Sequence, residues 1–304
     1  MKSFIRWLSL LGYGLFTSTL YGAHTNPQLM RRRFEKWSSQ SRTSIQRKYT
    51  NVKFEDVFLE KSQLKIETVC AQEDFTSVIL YLHGGGFVIG SADSYRNRMM
   101  RLSYHTKAKI VFVEYRRSPE HRFPAAQDDA FAAWQWVLQQ YGNYPLLISG
   151  DSAGGGLTLS LLLRLKDSGE TLPQGVIMIS PWTDHSCAGK SVETNLGKDL
   201  WFTKNHLQQW ATYYSREDER KLPYVSPVFG EFQELPPMLL LAGENELLLD
   251  DATRVYEGAK AAGVSAELHI GKGMQHDWPL TLPWLDESKL AWKFIREFVV
   301  KLAN

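Results

Sequence analysis

The chain has 304 residues, of which 43% are hydrophobic, and a formal net charge of +2. That length and apolar content are enough for one large domain with a complete core, and the small net charge excludes nucleic acid as an expected partner. The two cysteines, Cys70 and Cys187, lie far apart without metal-ligand spacing, so they indicate neither a disulfide framework nor a zinc site.

The N-terminal segment 7–23 carries no charge, and it superficially resembles a signal peptide. Three features argue against export. Tyr21 stands where a cleavage site requires a small residue, the stretch is diluted by Gly, Ser and Thr, and the basic run 31–33 resists translocation. The segment is also short for a membrane span. We expect a cytoplasmic protein that retains this segment as a helix on a cap or on a membrane surface. Export or membrane association through residues 1–23 is the alternative.

A helix is expected to begin at Asn26 and Pro27. Asparagine is a favoured N-cap residue, and proline is tolerated in the first turn. Met30, Phe34 and Trp37 then recur on one apolar face. The arginines between them are expected on the solvated face of this helix.

Short apolar runs alternate with helical patterns through the rest of the chain. Predicted strands occupy residues 52–59, 64–70, 77–82, 109–113, 175–179, 237–242 and 266–270, with another from residue 146 to Gly150. Predicted helices occupy residues 95–106, 128–140, 157–165, 203–214, 251–262 and 291–302. Short, continuously apolar strands between helices predict a mostly parallel sheet that is covered on both faces.

The run that breaks at Gly150 continues as G-D-S-A-G, residues 150–154. Gly150 and Gly154 flank Ser152 in the G-x-S-x-G spacing of a nucleophile elbow, a tight strand-to-helix turn that exposes a serine hydroxyl. The following helix would direct its positive N-terminal end at an oxyanion beside Ser152. The five-residue pattern alone occurs by chance, but the strand before it and the helix after it favour the elbow.

The strand at 77–82 ends in H-G-G-G-F, residues 83–87. Consecutive glycines let backbone N–H groups approach a substrate carbonyl, because no Cβ stands in the way. Together with the amide of Ala153, such a loop would form an oxyanion hole. An isolated triple glycine would be an ordinary turn, but two such motifs, each after its own strand, favour the oxyanion hole.

Two later loops supply an acid and a histidine. Glu246 follows the strand at 237–242, and His276 follows the strand at 266–270. The order serine, acid, histidine is the one expected for an α/β-hydrolase, in which the histidine is the base and the carboxylate orients it. Asp250 is the alternative acid, which we expect one turn into the next helix and facing away from His276.

With these motifs the chain resembles the hormone-sensitive-lipase-like group of α/β-hydrolases, the bacterial esterases with H-G-G-G and G-D-S-A-G motifs. The resemblance runs from about residue 26 to the C-terminus and includes Y-R-R-S-P-E-H-R-F-P-A-A at 115–126. It implies the α/β-hydrolase fold, with a mostly parallel central sheet, helices on both faces and a helical cap.

The resemblance also implies roles for individual residues. Ser152 would be the nucleophile and His276 the base, and the oxyanion hole would consist of the backbones of Gly84, Gly85 and Ala153. The group usually has Asp three residues after the glycine that ends the acid strand, and this chain has Glu246 there. We therefore assign the orienting role to Glu246. No metal or cofactor is implied.

We divide the chain into two parts. Residues 1–50 hold the N-terminal apolar helix and a cap helix, and residues 51–304 form the α/β-hydrolase domain with a cap insertion at about 185–227. This insertion interrupts the alternation of strands and helices and is rich in aromatic residues. Both features are typical of a lid over a substrate pocket.

The leading interpretation is a carboxylesterase-type serine hydrolase that acts on small-molecule esters with short to medium acyl chains through a Ser-His-Glu triad. A lactone, N-acetyl or carbamate hydrolase is the alternative, because the same acyl-transfer groups serve these substrates. A non-catalytic small-molecule receptor on a hydrolase fold is the alternative from a different class. Loss of the base would be its signature, and His276 is present.

Overall fold

The computed structural model describes residues 26–39 and 52–303. Within these ranges, eight strands form one sheet, and they are β1 (Lys53–Leu59), β2 (Leu64–Cys70), β3 (Ser77–Leu82), β4 (Ala108–Glu114), β5 (Leu146–Asp151), β6 (Gly175–Ile179), β7 (Met238–Gly243) and β8 (Ala266–Gly271). All eight predicted strands are present, with ends that differ by one residue at most.

The strand order in the sheet is β1-β2-β4-β3-β5-β6-β7-β8. β2 runs antiparallel to both of its neighbours, β1 and β4, and the remaining pairs of adjacent strands are all parallel. Every residue of β3, β5, β6 and β7 is buried. The predicted α/β-hydrolase fold is thus confirmed, and the loops that follow β3, β5, β7 and β8 meet at one edge of the sheet.

Along the chain the helices are α1 (Pro27–Ser39), α2 (Ala92–Thr106), α3 (Ala125–Tyr141), α4 (Ala153–Asp167), α5 (Ser191–Thr194), α6 (Lys204–Tyr214), α7 (Leu249–Ala261), α8 (Trp278–Thr281) and α9 (Asp286–Ala303). The largest difference from the predicted boundaries is at α9, which begins at Asp286 and not at residue 291, and α4 begins at Ala153, ahead of the Leu-rich stretch that starts at residue 157. Helix propensity disfavours the three glycines at 154–156, but close packing against neighbouring backbone requires them there.

Helix α1 begins as the sequence predicts. The Leu29 amide donates a hydrogen bond of 2.8 Å to the Asn26 side chain, which satisfies one of the otherwise unpaired amides of the first turn. Met30 and Phe34 are buried on the apolar face, with 4% and 3% of their surface exposed.

The expectation of a solvated arginine face is wrong for Arg31. Its guanidinium donates to the backbone carbonyls of Val88 and Ser118, each at 2.7 Å, and to the Glu120 carboxylate at 2.7 and 2.9 Å. Such a forked pair is the geometry that arginine favours with carboxylates. Arg31 therefore fastens α1 to the loops that follow β3 and β4.

The insertion between β6 and β7 contains α5, α6 and two short 3-10 helices. Thr203 caps α6, and the predicted apolar face of this helix is buried; it consists of Leu207, Trp210, Ala211 and Tyr214. The limits 1–50 and 185–227 of the two cap parts remain predictions, and the predicted N-terminal apolar helix lies outside the described residues. In the described ranges, no helix is both long enough and apolar enough to cross a membrane.

Candidate active site

Ser152 occupies the single position between β5 and α4. Its φ and ψ are 51° and −121°, a conformation that is strained for a residue with a Cβ. Two backbone hydrogen bonds of 2.8 Å hold it: the Ser152 amide donates to the Ile179 carbonyl, and the Trp182 amide donates to the Ser152 carbonyl. The end of β6 thus supports the turn on which the serine stands.

The two glycines of the motif are required because a side chain at either position would collide with neighbouring backbone. A Cβ on Gly150 would lie 2.3 Å from the Gly154 carbonyl oxygen, and a Cβ on Gly154 would lie 1.9 Å from the Leu82 carbonyl oxygen. Both distances are far inside van der Waals contact. The G-x-S-x-G spacing is therefore explained by the close approach of β3, β5 and α4 at this turn.

His276 and Glu246 are paired below the surface. His276 Nδ1 lies 2.7 Å from Glu246 Oε2, and 2% and 0% of the two side chains are exposed. The other carboxylate oxygen, Oε1, accepts a 2.7 Å hydrogen bond from the Gly243 amide at the end of β7. Both oxygens of Glu246 are thus engaged, which fixes the carboxylate and directs the imidazole.

The alternative acid lies elsewhere. Asp250 is in the first turn of α7, and its carboxylate accepts a 3.1 Å hydrogen bond from the Ser191 amide of α5. The Ser191 hydroxyl in turn accepts from the Asp250 amide at 3.0 Å. The structure therefore brings Glu246, and not Asp250, to His276.

Ser152 and His276 line one cavity, together with the aromatic side chains Trp201, Phe202 and Trp210. The Phe202 ring lies edge-on to the His276 ring, with 4.8 Å between centroids. Among the described residues, His276 Nε2 makes no hydrogen bond. That nitrogen is available to a proton from the Ser152 hydroxyl, and such contacts often tighten only when a substrate is bound.

Two carboxylates act on the charge of His276. Burial by itself lowers the pKa of the imidazole, but the nearby Asp277 carboxylate and then Glu246 outweigh it and raise the pKa of His276 to about 9. Asp277 Oδ2 lies 3.3 Å from Nε2, on the side opposite the Glu246 pair. An imidazolium that forms during proton transfer is therefore strongly stabilised here.

The glycine loop differs from the expectation at Gly84. Its amide donates a 3.0 Å hydrogen bond to Asp151 Oδ1, so it is turned into the protein and not toward a substrate. The assignment of the Gly84 amide to the oxyanion hole is thus corrected by the structure. The amides of Gly85, Gly86 and Ala153 make no hydrogen bond among the described residues, and Gly85 lines the cavity with Ser152.

Asp151 is a residue of the site that sequence reasoning missed. Besides the Gly84 amide, its carboxylate accepts hydrogen bonds of 2.7 Å from the hydroxyls of Tyr81 and Tyr95. Asp151 therefore joins the turn that carries Ser152 to the glycine loop. The signal was available, because an aspartate at the end of a buried strand needs partners to offset its desolvation.

The glycine loop also packs against helix α6 of the insertion. Gly85 and Gly86 have φ values of 106° and 60°, which favour glycine. A Cβ on Gly86 would lie 1.6 Å from the Trp210 ring of α6, so the indole packs directly on the loop backbone.

Three more polar side chains that the sequence analysis missed fasten the cap insertion to the acid and histidine loops. Asn195 donates at 3.0 Å to the carbonyls of Glu244 and Glu246. Asp199 accepts from the Leu247 amide at 2.7 Å, and Gln275 bonds to backbone atoms of residues 198 and 200. These contacts hold the cap segment that carries Trp201 and Phe202 against the His276–Glu246 pair.

Comparisons with known proteins agree with this architecture. A family profile described as the α/β hydrolase fold matches residues 79–280. An esterase from Acinetobacter venetianus is 36% identical over 78% of this chain and 78% of its own length. An acetyl-hydrolase from Streptomyces hygroscopicus is 36% identical over 70% of this chain and 72% of its own length.

Solved structures show the same likeness. An esterase from the bacterial hormone-sensitive lipase family superposes with a TM-score of 0.89 at 32% identity, over 97% of this chain and 98% of that one. An esterase/lipase from an uncultured bacterium gives a TM-score of 0.86 at 34% identity, with the same coverage of both chains. The chain therefore belongs to the α/β-hydrolase fold family, within the hormone-sensitive-lipase-like group that its motifs predicted.

Proposed function

We propose that this protein hydrolyses small-molecule carboxylic esters through an acyl-enzyme on Ser152. The observation that carries the proposal is the placement of a strained, cavity-lining serine beside the buried His276–Glu246 pair. The names of the relatives, esterase and acetyl-hydrolase, support the same chemistry.

The proposed reaction has two halves. In the first, His276 Nε2 takes the proton of the Ser152 hydroxyl while the oxygen attacks the ester carbonyl, and the same proton then passes to the leaving alcohol oxygen. In the second, water attacks the acyl-enzyme by the same route and releases the carboxylic acid and Ser152. Glu246 holds the proton on Nδ1 and stabilises the imidazolium in both halves.

The oxyanion of each tetrahedral intermediate would be bound by backbone amides. The amides of Gly85, Gly86 and Ala153 are the available donors, and Ala153 also begins α4, whose N-terminus carries partial positive charge. Gly84 has a different role in this proposal. Its bond to Asp151 would hold the loop in the conformation that leaves the next two amides without a partner among the described residues.

Short to medium acyl chains fit the cavity best. Bulky aromatic side chains from the cap line it next to His276, and they leave little space for a long chain. Two relatives point to short acyl groups by name, the acetyl-hydrolase and an ethyl acetate hydrolase from Pseudomonas putida.

A series of p-nitrophenyl esters from acetate to palmitate tests the function and the chain length together. We expect kcat/KM for acetate or butyrate to exceed that for palmitate by about a hundredfold or more, because rejecting even one methylene costs about 1–3 kcal/mol. The assay is run on monomeric substrate in solution. A higher kcat/KM for palmitate would contradict the chain-length proposal, and no turnover of any ester would contradict ester hydrolysis.

A further inference from the structure

A second carboxylate lies in the active-site cavity, on the Nε2 side of His276. Asp277 Oδ2 is 3.3 Å from Nε2, without the geometry of a hydrogen bond. Only 8% of the Asp277 residue is exposed, and its other oxygen, Oδ1, has no hydrogen-bond partner among the described residues. A buried carboxylate oxygen without a donor is costly, so its presence calls for an explanation.

The backbone fixes Asp277 in this position. Its φ and ψ are 54° and 29°, a left-handed conformation that aspartate tolerates better than most residues. The Asp277 amide donates to the Ser180 hydroxyl at 3.0 Å, and the Asp277 carbonyl accepts from the Thr281 hydroxyl at 2.8 Å. The carboxylate is therefore held in the cavity by hydrogen bonds on both sides of its Cα.

The proposed ester hydrolysis does not need Asp277. Glu246 already orients His276 through Nδ1, and Nε2 must be free to move the serine proton. A carboxylate next to Nε2 raises the pKa of His276, so most of the imidazole is already protonated at neutral pH and cannot accept the serine proton. A ligand group that binds to Asp277 would offset this effect.

The side of the imidazole on which Asp277 lies indicates which part of the substrate it meets. Nε2 gives its proton to the oxygen of the departing alcohol. A carboxylate 3.3 Å from that nitrogen therefore borders the first carbon atoms of the alcohol, and not the acyl chain.

We propose that Asp277 binds a protonated amine in the alcohol part of the substrate, so that this hydrolase prefers esters of amino alcohols. The proposal rests on the proposed ester hydrolysis and names the substrate class of the same site. An ammonium two carbon atoms from the ester oxygen can donate to Oδ1, which has no donor at present. A neutral alkyl alcohol of the same shape cannot.

The surrounding charges act on Asp277 in both directions. Burial, together with the Asp151 and Glu246 carboxylates, raises the pKa of Asp277 well above its usual range, and the cations of His276 and Arg98 oppose that rise. An ammonium at Oδ1 would oppose it further and stabilise the carboxylate form. The Arg98 guanidinium lies over the Tyr95 ring, 4.4 Å from its centroid. Asp151 and Glu246 are the other acidic groups that act on Asp277, and both are held by hydrogen bonds of their own.

Substrate binding and activation of the base are coupled in this proposal. An ammonium beside Asp277 offsets the charge that raises the pKa of His276, so the pKa of the imidazole falls and more of it is neutral at pH 7. The neutral imidazole is the form that accepts the serine proton. Removing the Asp277 charge by mutation should likewise move the acidic limb of the pH profile to lower pH.

A matched pair of esters tests the proposal. 2-(Dimethylamino)ethyl acetate and 3-methylbutyl acetate have the same shape, but only the first is protonated at neutral pH. We expect the ratio of their kcat/KM values, amine over neutral, to be at least about tenfold higher in the wild type than in Asp277→Asn, which tolerates the same backbone conformation. Asp56→Asn, an equal charge change at an exposed position of β1, should leave the ratio unchanged.

The outcomes separate the two proposals. If the wild type hydrolyses neither ester nor p-nitrophenyl acetate, the proposed function is wrong. If it hydrolyses them and the ratio is the same in Asp277→Asn, ester hydrolysis stands and the amine proposal is overturned. Asp277→Gly, which accepts a positive φ, replaces the asparagine variant if that variant fails to fold.

If neither variant folds, the proposal is tested by inhibition of the wild-type enzyme. 2-(Dimethylamino)ethanol and 3-methylbutanol are compared as competitive inhibitors of p-nitrophenyl acetate hydrolysis. Tighter inhibition by the amine supports the proposal, and equal or weaker inhibition overturns it.

Discussion

Ser152→Ala is expected to lower kcat for p-nitrophenyl acetate by about ten-thousandfold or more, which corresponds to about 5.5 kcal/mol of transition-state stabilisation. The reason is that no acyl-enzyme can form without the Ser152 oxygen, and the oxyanion hole alone provides only a small residual rate. Stopped assays at high enzyme concentration, with an active-site titration of the wild type, measure the loss.

The fold of Ser152→Ala should be preserved, because alanine has a Cβ like serine and the hydroxyl makes no hydrogen bond among the described residues. The variant should therefore match the wild type in circular dichroism and Tm. Ser168→Ala, at an exposed position after α4, is the matched control and should keep full activity. A folded Ser152→Ala with substantial turnover would reject the nucleophile assignment.

Glu246→Gln is expected to lower kcat by about a thousandfold to ten-thousandfold. Glutamine keeps the size of the side chain, and its amide oxygen can still accept from the Gly243 amide. It removes the charge that stabilises the imidazolium, and it no longer enforces the tautomer with the proton on Nδ1. The loss should appear in kcat with a small change in KM, measured with the same ester.

Asp250→Asn is the control for the acid. It weakens the contact of α7 with Ser191 of α5. We therefore expect a lower Tm, while the folded fraction keeps most of its turnover. Glu246→Asp should retain partial activity, because the charge remains but the reach is shorter. An inactive, folded Asp250→Asn beside an active Glu246→Gln would show that the acid is Asp250.

The sequence supplied the strands and the motifs because both depend on local patterns. Each buried strand is a short apolar run that ends in a loop of glycines or charged residues. The elbow could be predicted because Gly150 and Gly154 are required by the turn itself. Glu246 could be preferred to Asp250 because it stands three residues after the glycine that ends the strand, where the resembled group has its acid.

The features that the sequence did not predict depend on contacts between distant segments. The direction of the Gly84 amide is set by Asp151, which is held by tyrosines from β3 and α2. Arg31 is bound by two backbone carbonyls and a carboxylate that lie 57 to 89 residues away in the sequence, and it is therefore not solvated as the helix pattern predicts. No periodicity in α1 or in the glycine loop encodes these pairings.

The glycines in the first turn of α4 also depend on contacts between distant segments. Helix propensity places three consecutive glycines before a helix and not in its first turn. The structure places them in the helix because the backbone of β3 passes within contact distance of Gly154, where any side chain would collide with it.

Covalent labelling identifies the nucleophile of this hydrolase directly. The protein is incubated with a p-nitrophenyl alkylphosphonate, which is attacked as an ester is but leaves a stable adduct on the nucleophile, and the modified peptide is then sequenced by mass spectrometry. We expect one adduct per chain, on Ser152, formed in step with the loss of esterase activity and absent from Ser152→Ala. An adduct on another residue at the same rate, or full activity after Ser152 is labelled, would contradict it.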